Sequence, residues 1–162
     1  MTLIPSTRKR LGALLIQAWI NYQLQIEALI SDAGYENLLP ANASALYLIN
    51  RIPAMSISDL ARKLDITRQG ASKVVFKLVK LGYLEVQPSI KSSREKSLFA
   101  SERGVGYLIA RKLAAEQVEV KFNQNLGDAQ YKLFLNALMH FQLDESWNLR
   151  KYLGRYGLAL EI

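Results

Sequence analysis

From Leu11 onward the apolar residues Leu14, Leu15, Ala18, Trp19, Tyr22, Ile26, Leu29 and Ile30 recur at three- and four-residue spacing, the period that lines side chains along one face of an α-helix. Ile16, Ile20 and Leu24 widen that stripe beyond what a helix lying on one core needs. The pattern therefore predicts a helix over Leu11 to Ile30 that also serves a second partner surface. Turn chemistry at Ser31-Asp32-Ala33-Gly34 stops it. Pro40 then opens a second helix, filled by Ala43 to Ile52 and ended by Pro53.

The next stretch changes character. Ser56-Ile57-Ser58-Asp59 has the Ser-x-x-Asp form of a capping box, with Leu60, Ala61 and Leu64 as the buried face of a short helix. Asp65 falls where the chain must turn sharply, a place where Asp tolerates left-handed backbone. Thr67 caps a further helix in which Ala71, Val74, Val75 and Leu78 repeat at helical spacing. Two capped helices joined by so short a turn predict a helix-turn-helix. After the helix-ending Gly82, Tyr83 to Gln87 has strand character, Pro88 to Glu95 is polar and basic, and Ser97 to Ala100 returns as a second strand. A hairpin in this place makes a winged helix, its tip carrying Lys91, Arg94 and Lys96. Ser101 caps a long helix to about Leu126, Gly127 interrupts it, and another follows from Asp128 to Leu143. The tail from Asp144 predicts one helix around Trp147 to Leu153, loosened by Gly154 and Gly157. The expected fold class is mainly α: a winged helix-turn-helix with a small hairpin wing and long N- and C-terminal helices.

Composition narrows the function. The chain has 162 residues, half of them apolar, which suits one folded domain. The polar residues Gln17, Asn21, Gln23, Gln25 and Glu27 break the most apolar stretch, so no membrane span is expected. Nor is a secretory leader, and the expected location is the cytoplasm. Zero cysteines exclude disulfides, thiolate metal sites and thiol nucleophiles. His140 is the single histidine, and its apolar neighbourhood makes it a helix-face or partly buried side chain. No Ser-His-Asp, HExxH or phosphate-loop pattern is present, so neither an enzyme nor a cofactor is expected.

A net charge of +7 favours an anionic partner. The excess is local: between Arg51 and Gly104 eleven Lys and Arg stand against five Asp and Glu, whereas elsewhere ten stand against nine. Within the second helix of the motif, Arg68, Gln69, Ser72, Lys73 and Lys77 fall away from the apolar face. Amide and guanidinium groups there can read base edges, and ammonium groups neutralise phosphates, although a solvated face shows the same pattern. Gly70 costs a helix interior about 1 kcal/mol relative to Ala, which suits close approach of backbone to phosphate or simple tolerance near a helix start. On the wing, Lys91, Arg94 and Lys96 are candidates for the DNA backbone or the minor groove, against the alternative of a solvated loop. The cluster Arg8-Lys9-Arg10 reads as a helix flank, and Glu116 and Glu119 as a solvated helix face.

The segment from Ser56 to Gly104 resembles the MarR family of bacterial transcriptional regulators without a gap. The family's Leu-Ala pair falls on Leu60-Ala61 and its helix-ending Gly on Gly82. Its Leu-Thr-x-x-Gly falls on Ala100-Ser101-Glu102-Arg103-Gly104. The wing's Asp-x-Arg falls on Ser92-Ser93-Arg94: Arg94 is kept, but Ser92 replaces the Asp, a departure that bears on the charge pairing bracing the family's wing. The resemblance implies a sequence-specific regulator acting as a homodimer on a palindromic operator in double-stranded DNA. It divides the chain into dimerisation helices at 8–35 and 105–143, a DNA-binding lobe at 40–104 and a C-terminal extension at 144–162. It also implies a small-molecule effector crevice near Trp19, Tyr22 and Tyr47, for which core or interface packing is the ordinary alternative. A different class of reading is a winged-helix protein-interaction module with weak or nonspecific DNA binding, to which Trp147, Tyr152 and Tyr156 of the tail would contribute.

Overall fold

Side-chain caps set the helix starts that matter most. A computed structural model describes residues 11–89 and 96–141, in the order α1 (Leu11–Asp32), α2 (Pro40–Arg51), β1 (Met55–Ser56), α3 (Ile57–Leu64), α4 (Arg68–Lys80), β2 (Leu84–Pro88), β3 (Lys96–Ala100), α5 (Glu102–Leu126) and α6 (Asp128–Met139). Ser56 and Asp59 form the expected reciprocal box: the Asp59 amide donates to Ser56 Oγ at 3.1 Å, and the Ser56 amide donates to Asp59 Oδ2 at 3.3 Å. Asp65 ends α3 in left-handed backbone, with φ 53°. Thr67 and Ser101 accept the Gly70 and Gly104 amides, each at 3.0 Å, at the starts of α4 and α5. The predicted helix-turn-helix and hairpin are both present, and the fold is a mainly helical winged helix with a small antiparallel sheet.

The box makes α3 sensitive to acid. The Ser56 hydroxyl, which donates to Asp59 Oδ2 at 2.7 Å, holds the Asp59 carboxyl below its ordinary value of 3.8. Because the folded value is the lower one, this contribution is full above about pH 4 and is lost as pH falls through the depressed value. Asp59→Ala should cost about 1 kcal/mol near neutral pH, as cap losses do. Urea unfolding of both proteins should show that gap shrinking toward about pH 3. A gap independent of pH would assign the loss to packing.

The sheet has three strands in the order β1-β3-β2, all antiparallel, with Leu84 opposite Ala100, Val86 opposite Leu98 and Pro88 opposite Lys96. The short β1, which sequence pattern does not predict, pairs Met55 with Leu98. Two residues are too few for a period-two signal. Leu46, Ile49, Leu60, Leu78, Tyr83, Leu98 and Tyr107 are fully buried where α2, α3, α4, the sheet and α5 meet. Tyr107 packs edge-on to Tyr35 at 6.0 Å and tilted on Tyr83 at 5.2 Å, while the Arg103 guanidinium lies over the Tyr35 and Tyr83 rings. This aromatic group fixes the start of α5 against the base of the hairpin.

Two expectations are corrected in detail. Only Ile26 and Ile30 of α1 are buried. Leu11, Leu14, Leu15, Ile16, Trp19, Ile20 and Leu24 are all exposed, so most of the periodic stripe lies off the core, because only the last turns of α1 reach it. The second helix of the C-terminal pair ends at Met139, where the exposed His140 is the C-cap residue and its amide donates to Asn136 O. The predicted tail from Asp144, with Trp147, Tyr152 and Tyr156, lies outside the described residues.

Candidate nucleic-acid interface

The geometry of α4 follows from what its inner face buries. Ala71, Val75 and Leu78 are buried against the lobe, which turns Arg68, Gln69, Ser72, Lys73 and Lys77 to the outside, all of them exposed. Gly70 is half-buried. A Cβ there would sit 3.3 Å from Thr67 Oγ1, so the glycine also keeps the cap uncrowded, a local reason beside close approach to phosphate. Ser72 Oγ donates to the Arg68 carbonyl at 2.9 Å, which commits its proton and leaves the hydroxyl as an acceptor. Gln69 and Lys73, four residues apart, share the outermost line of the helix.

The same line continues to residues not singled out from sequence. Lys80 lies seven residues beyond Lys73 and is exposed; its spacing alone would have found it. Phe76 lies seven beyond Gln69 and is 71% exposed. The same spacing places it on the outer line, although its apolar character by itself reads as core.

On the hairpin, Lys96 is not at the tip. It is the first residue of β3, opposite Pro88 and exposed, because strand pairing continues one residue past the predicted boundary. Lys91, Ser92 and Arg94 lie outside the described residues, as do Arg8, Lys9 and Arg10.

The three aromatic effector candidates are differently placed. Trp19 is 44% exposed on α1. Tyr22, half-buried, donates its hydroxyl to Glu119 Oε1 at 3.0 Å, tying α1 to α5. That bond gives Glu119 a role beyond a solvated face, whereas Glu116 pairs with Lys112 at 3.9 Å with both side chains exposed. Tyr47 accepts from Arg51 at 3.5 Å on α2. Two shallow hollows on α5 and α6 are lined by none of the three.

Away from the lobe, the outer helices expose apolar side chains in quantity. α6 has no buried residue, and Leu133, Phe134, Leu135, Leu138 and Met139 along it are exposed. Ile109, Leu113 and Val120 on α5 are more than half exposed. Among the described residues no group of His, Cys, Asp or Glu gathers to hold a metal, and no helix is long and apolar enough to cross a membrane.

A capped helix-turn-helix with a cationic second helix, braced by an antiparallel wing, defines a winged-helix protein of the nucleic-acid-binding type. Residues 36–95, from just before α2 through β2, match the MarR family model. The fold of the chain is also similar to several solved structures. The MarR family protein Rv2887 of Mycobacterium tuberculosis, in complex with salicylic acid, is 22% identical with a TM-score of 0.57, over 85% of this chain and 99% of that one. The transcriptional repressor CouR bound to a 23-mer DNA duplex is 22% identical with a TM-score of 0.62, over 87% and 98%. A mutant of S. aureus MepR bound to an oligodeoxyribonucleotide is 13% identical with a TM-score of 0.61, over 83% and 96%. At these identities the likeness is one of fold. No curated protein matches the sequence significantly.

Proposed function

We propose that this protein is a sequence-specific DNA-binding transcriptional regulator that acts as a homodimer on a palindromic operator. The observation that carries the reading is the outer face of α4, where Arg68, Gln69, Ser72, Lys73 and Lys77 are all exposed on a helix fixed at its start by Thr67. Early residues of such a helix meet base edges in the major groove, while its lysines neutralise phosphates. The wing, with Arg94 and Lys91, would lie on the backbone or minor groove. Two recognition helices about one turn of DNA apart require two copies of the chain, and the exposed apolar faces of α1, α5 and α6 supply a surface for that pairing. On this reading the dimerisation segments are 8–35 and 105–143, and the DNA-binding lobe is 40–104. The same reading provides for a small aromatic effector beside Trp19, Tyr22 and Tyr47, with the salicylic acid complex of the mycobacterial relative in support.

Selection of bound duplexes from a random pool tests this, and a reproducible palindrome is the expected result. Only salt-sensitive, sequence-blind binding would favour the protein-interaction module instead. Two substitutions then divide the helix by role. Gln69→Ala should relax preference at one or two operator positions by about 1–3 kcal/mol. Lys77→Ala should weaken every sequence alike and lower the salt slope by about one. Equal losses on cognate and scrambled duplexes for both variants would reduce α4 to an electrostatic anchor.

A further inference from the structure

We propose that Phe76 is a specificity-determining residue whose ring packs against the 5-methyl group of a thymine in the major groove. The inference rests on the sequence-specific reading of α4 and adds an apolar contact to it. Phe76 is 71% exposed and stands seven residues after Gln69 and three after Lys73, on the side of the helix opposite the buried Ala71, Val75 and Leu78. Its ring thus projects from the middle of the face that carries Gln69, Lys73 and Lys80.

A phenyl ring left in water on a helix of lysines is costly unless something covers it. The outer apolar faces of α1, α5 and α6 belong to other helices and do not include it. Nor is it the centre of a protein interface: a stable one buries on the order of 1,000 Å² or more with an apolar core. Here one large ring, with the 40% exposed Val79 three residues on as a small apolar neighbour, stands on the helix among Lys73, Lys77 and Lys80, all exposed. DNA meets both features at once, because phosphates complement the cations and the thymine methyl is the apolar group on a major-groove base edge. Polar groups cannot read that methyl; a ring can. Along the helix axis Phe76 lies about 10 Å beyond Gln69, the length of about three base-pair steps. The thymine should therefore sit two to four base pairs from the position that Gln69 reads.

The test uses the full chain and the duplex it selects, with deoxyuridine replacing each thymine in turn, so that only the methyl is removed. The wild-type protein should lose about fourfold in affinity at one thymine per half-site, the factor that burying one methyl group supplies. Phe76→Ala should lose at least as much on the parent duplex, become blind to that uracil and keep its salt slope. Phe76→Leu should retain part of the discrimination. A wild-type protein indifferent to uracil at every position overturns the proposal without needing any variant, and so does a Phe76→Ala protein that still tells thymine from uracil. If Gln69→Ala still relaxes base preference in either case, the regulator reading stands and only the methyl contact falls. If no sequence is selected at all, both fall together.

Discussion

Leu135→Asp combined with Leu138→Asp should convert the protein to a folded monomer and lower its affinity for a two-half-site duplex by at least about a hundredfold. The fold should survive because both side chains are already exposed in the single chain, and α6 buries nothing within it. Within the chain α6 meets α5 through the Phe122 ring, edge-on to Tyr131 at 5.8 Å and to Phe134 at 5.6 Å, and through Asn123, which donates to Asp128 Oδ1 at 2.9 Å, and neither substitution replaces one of these residues. Two carboxylates on the paired face would have to be buried without partners, a cost of several kcal/mol. The loss in binding then follows from valency: joining two recognition helices in one particle raises avidity by about 10²–10⁴ over one. Sedimentation should report half the mass, circular dichroism an unchanged helix content, and titration a monomer that binds a half-site almost as well as the wild-type lobe does. A wild-type chain that stays monomeric and folded at micromolar concentration would defeat the dimer reading outright. A variant that stays dimeric would move the interface to the exposed apolar residues of α1 and α5.

Gly104→Ala should cost about 3 kcal/mol, the upper part of the range for overpacking, and lower Tm by about 10 °C in a chain of this size. A Cβ at Gly104 would overlap the Tyr83 carbonyl oxygen and come within 3.1 Å of Leu46 Cδ1. Neither neighbour can yield cheaply. Tyr83 O accepts the Ser101 amide at 3.1 Å, its buried side chain packs on Tyr107, and Leu46 is fully buried. The methyl must therefore push the start of α5 away from the base of the hairpin, loosening the junction between the DNA-binding lobe and the outer helices. Gly106→Ala is the internal control. There the added Cβ meets the hydroxyl end of the Tyr35 side chain and not backbone, and alanine's better helix propensity offsets part of the cost, by about 1 kcal/mol. Thermal melts of the two variants should differ by most of the Gly104 effect; similar melts would show that the contact with Tyr83 is not the determinant.

Local chemistry was enough for much of the fold. Ser56, Thr67 and Ser101 announce helix starts because their hydroxyls satisfy amides three residues on, and each does so. Asp65 and Gly82 mark turns because left-handed backbone selects such residues, and both have positive φ. The polar outer face of α4 was equally legible, since helical period alone separates Gln69 and Lys73 from Ala71 and Val75. These are interactions within one turn of chain, and a sequence states them completely.

What depended on distant parts of the chain was not legible. The apolar stripe of α1 has the period of a core helix over its whole length, yet only Ile26 and Ile30 are buried, because period says which side chains share a face and not what that face meets. β1 exists only because Leu98 of β3 is there to pair with Met55. Gly104 could be picked out by resemblance, but the reason for it, a backbone carbonyl from Tyr83 lying where a methyl would be, comes from packing across the lobe. Phe76 divides between the two: helical period puts it on the line of Gln69 and Lys73, whereas its apolar side chain reads as core, and the placement of α4 on the lobe is what leaves that line open and the ring 71% exposed. The sequence by itself determined the helices, their caps and the cationic face. Tertiary structure decided which apolar residues are core and which are surface, because burial depends on what a face meets across space.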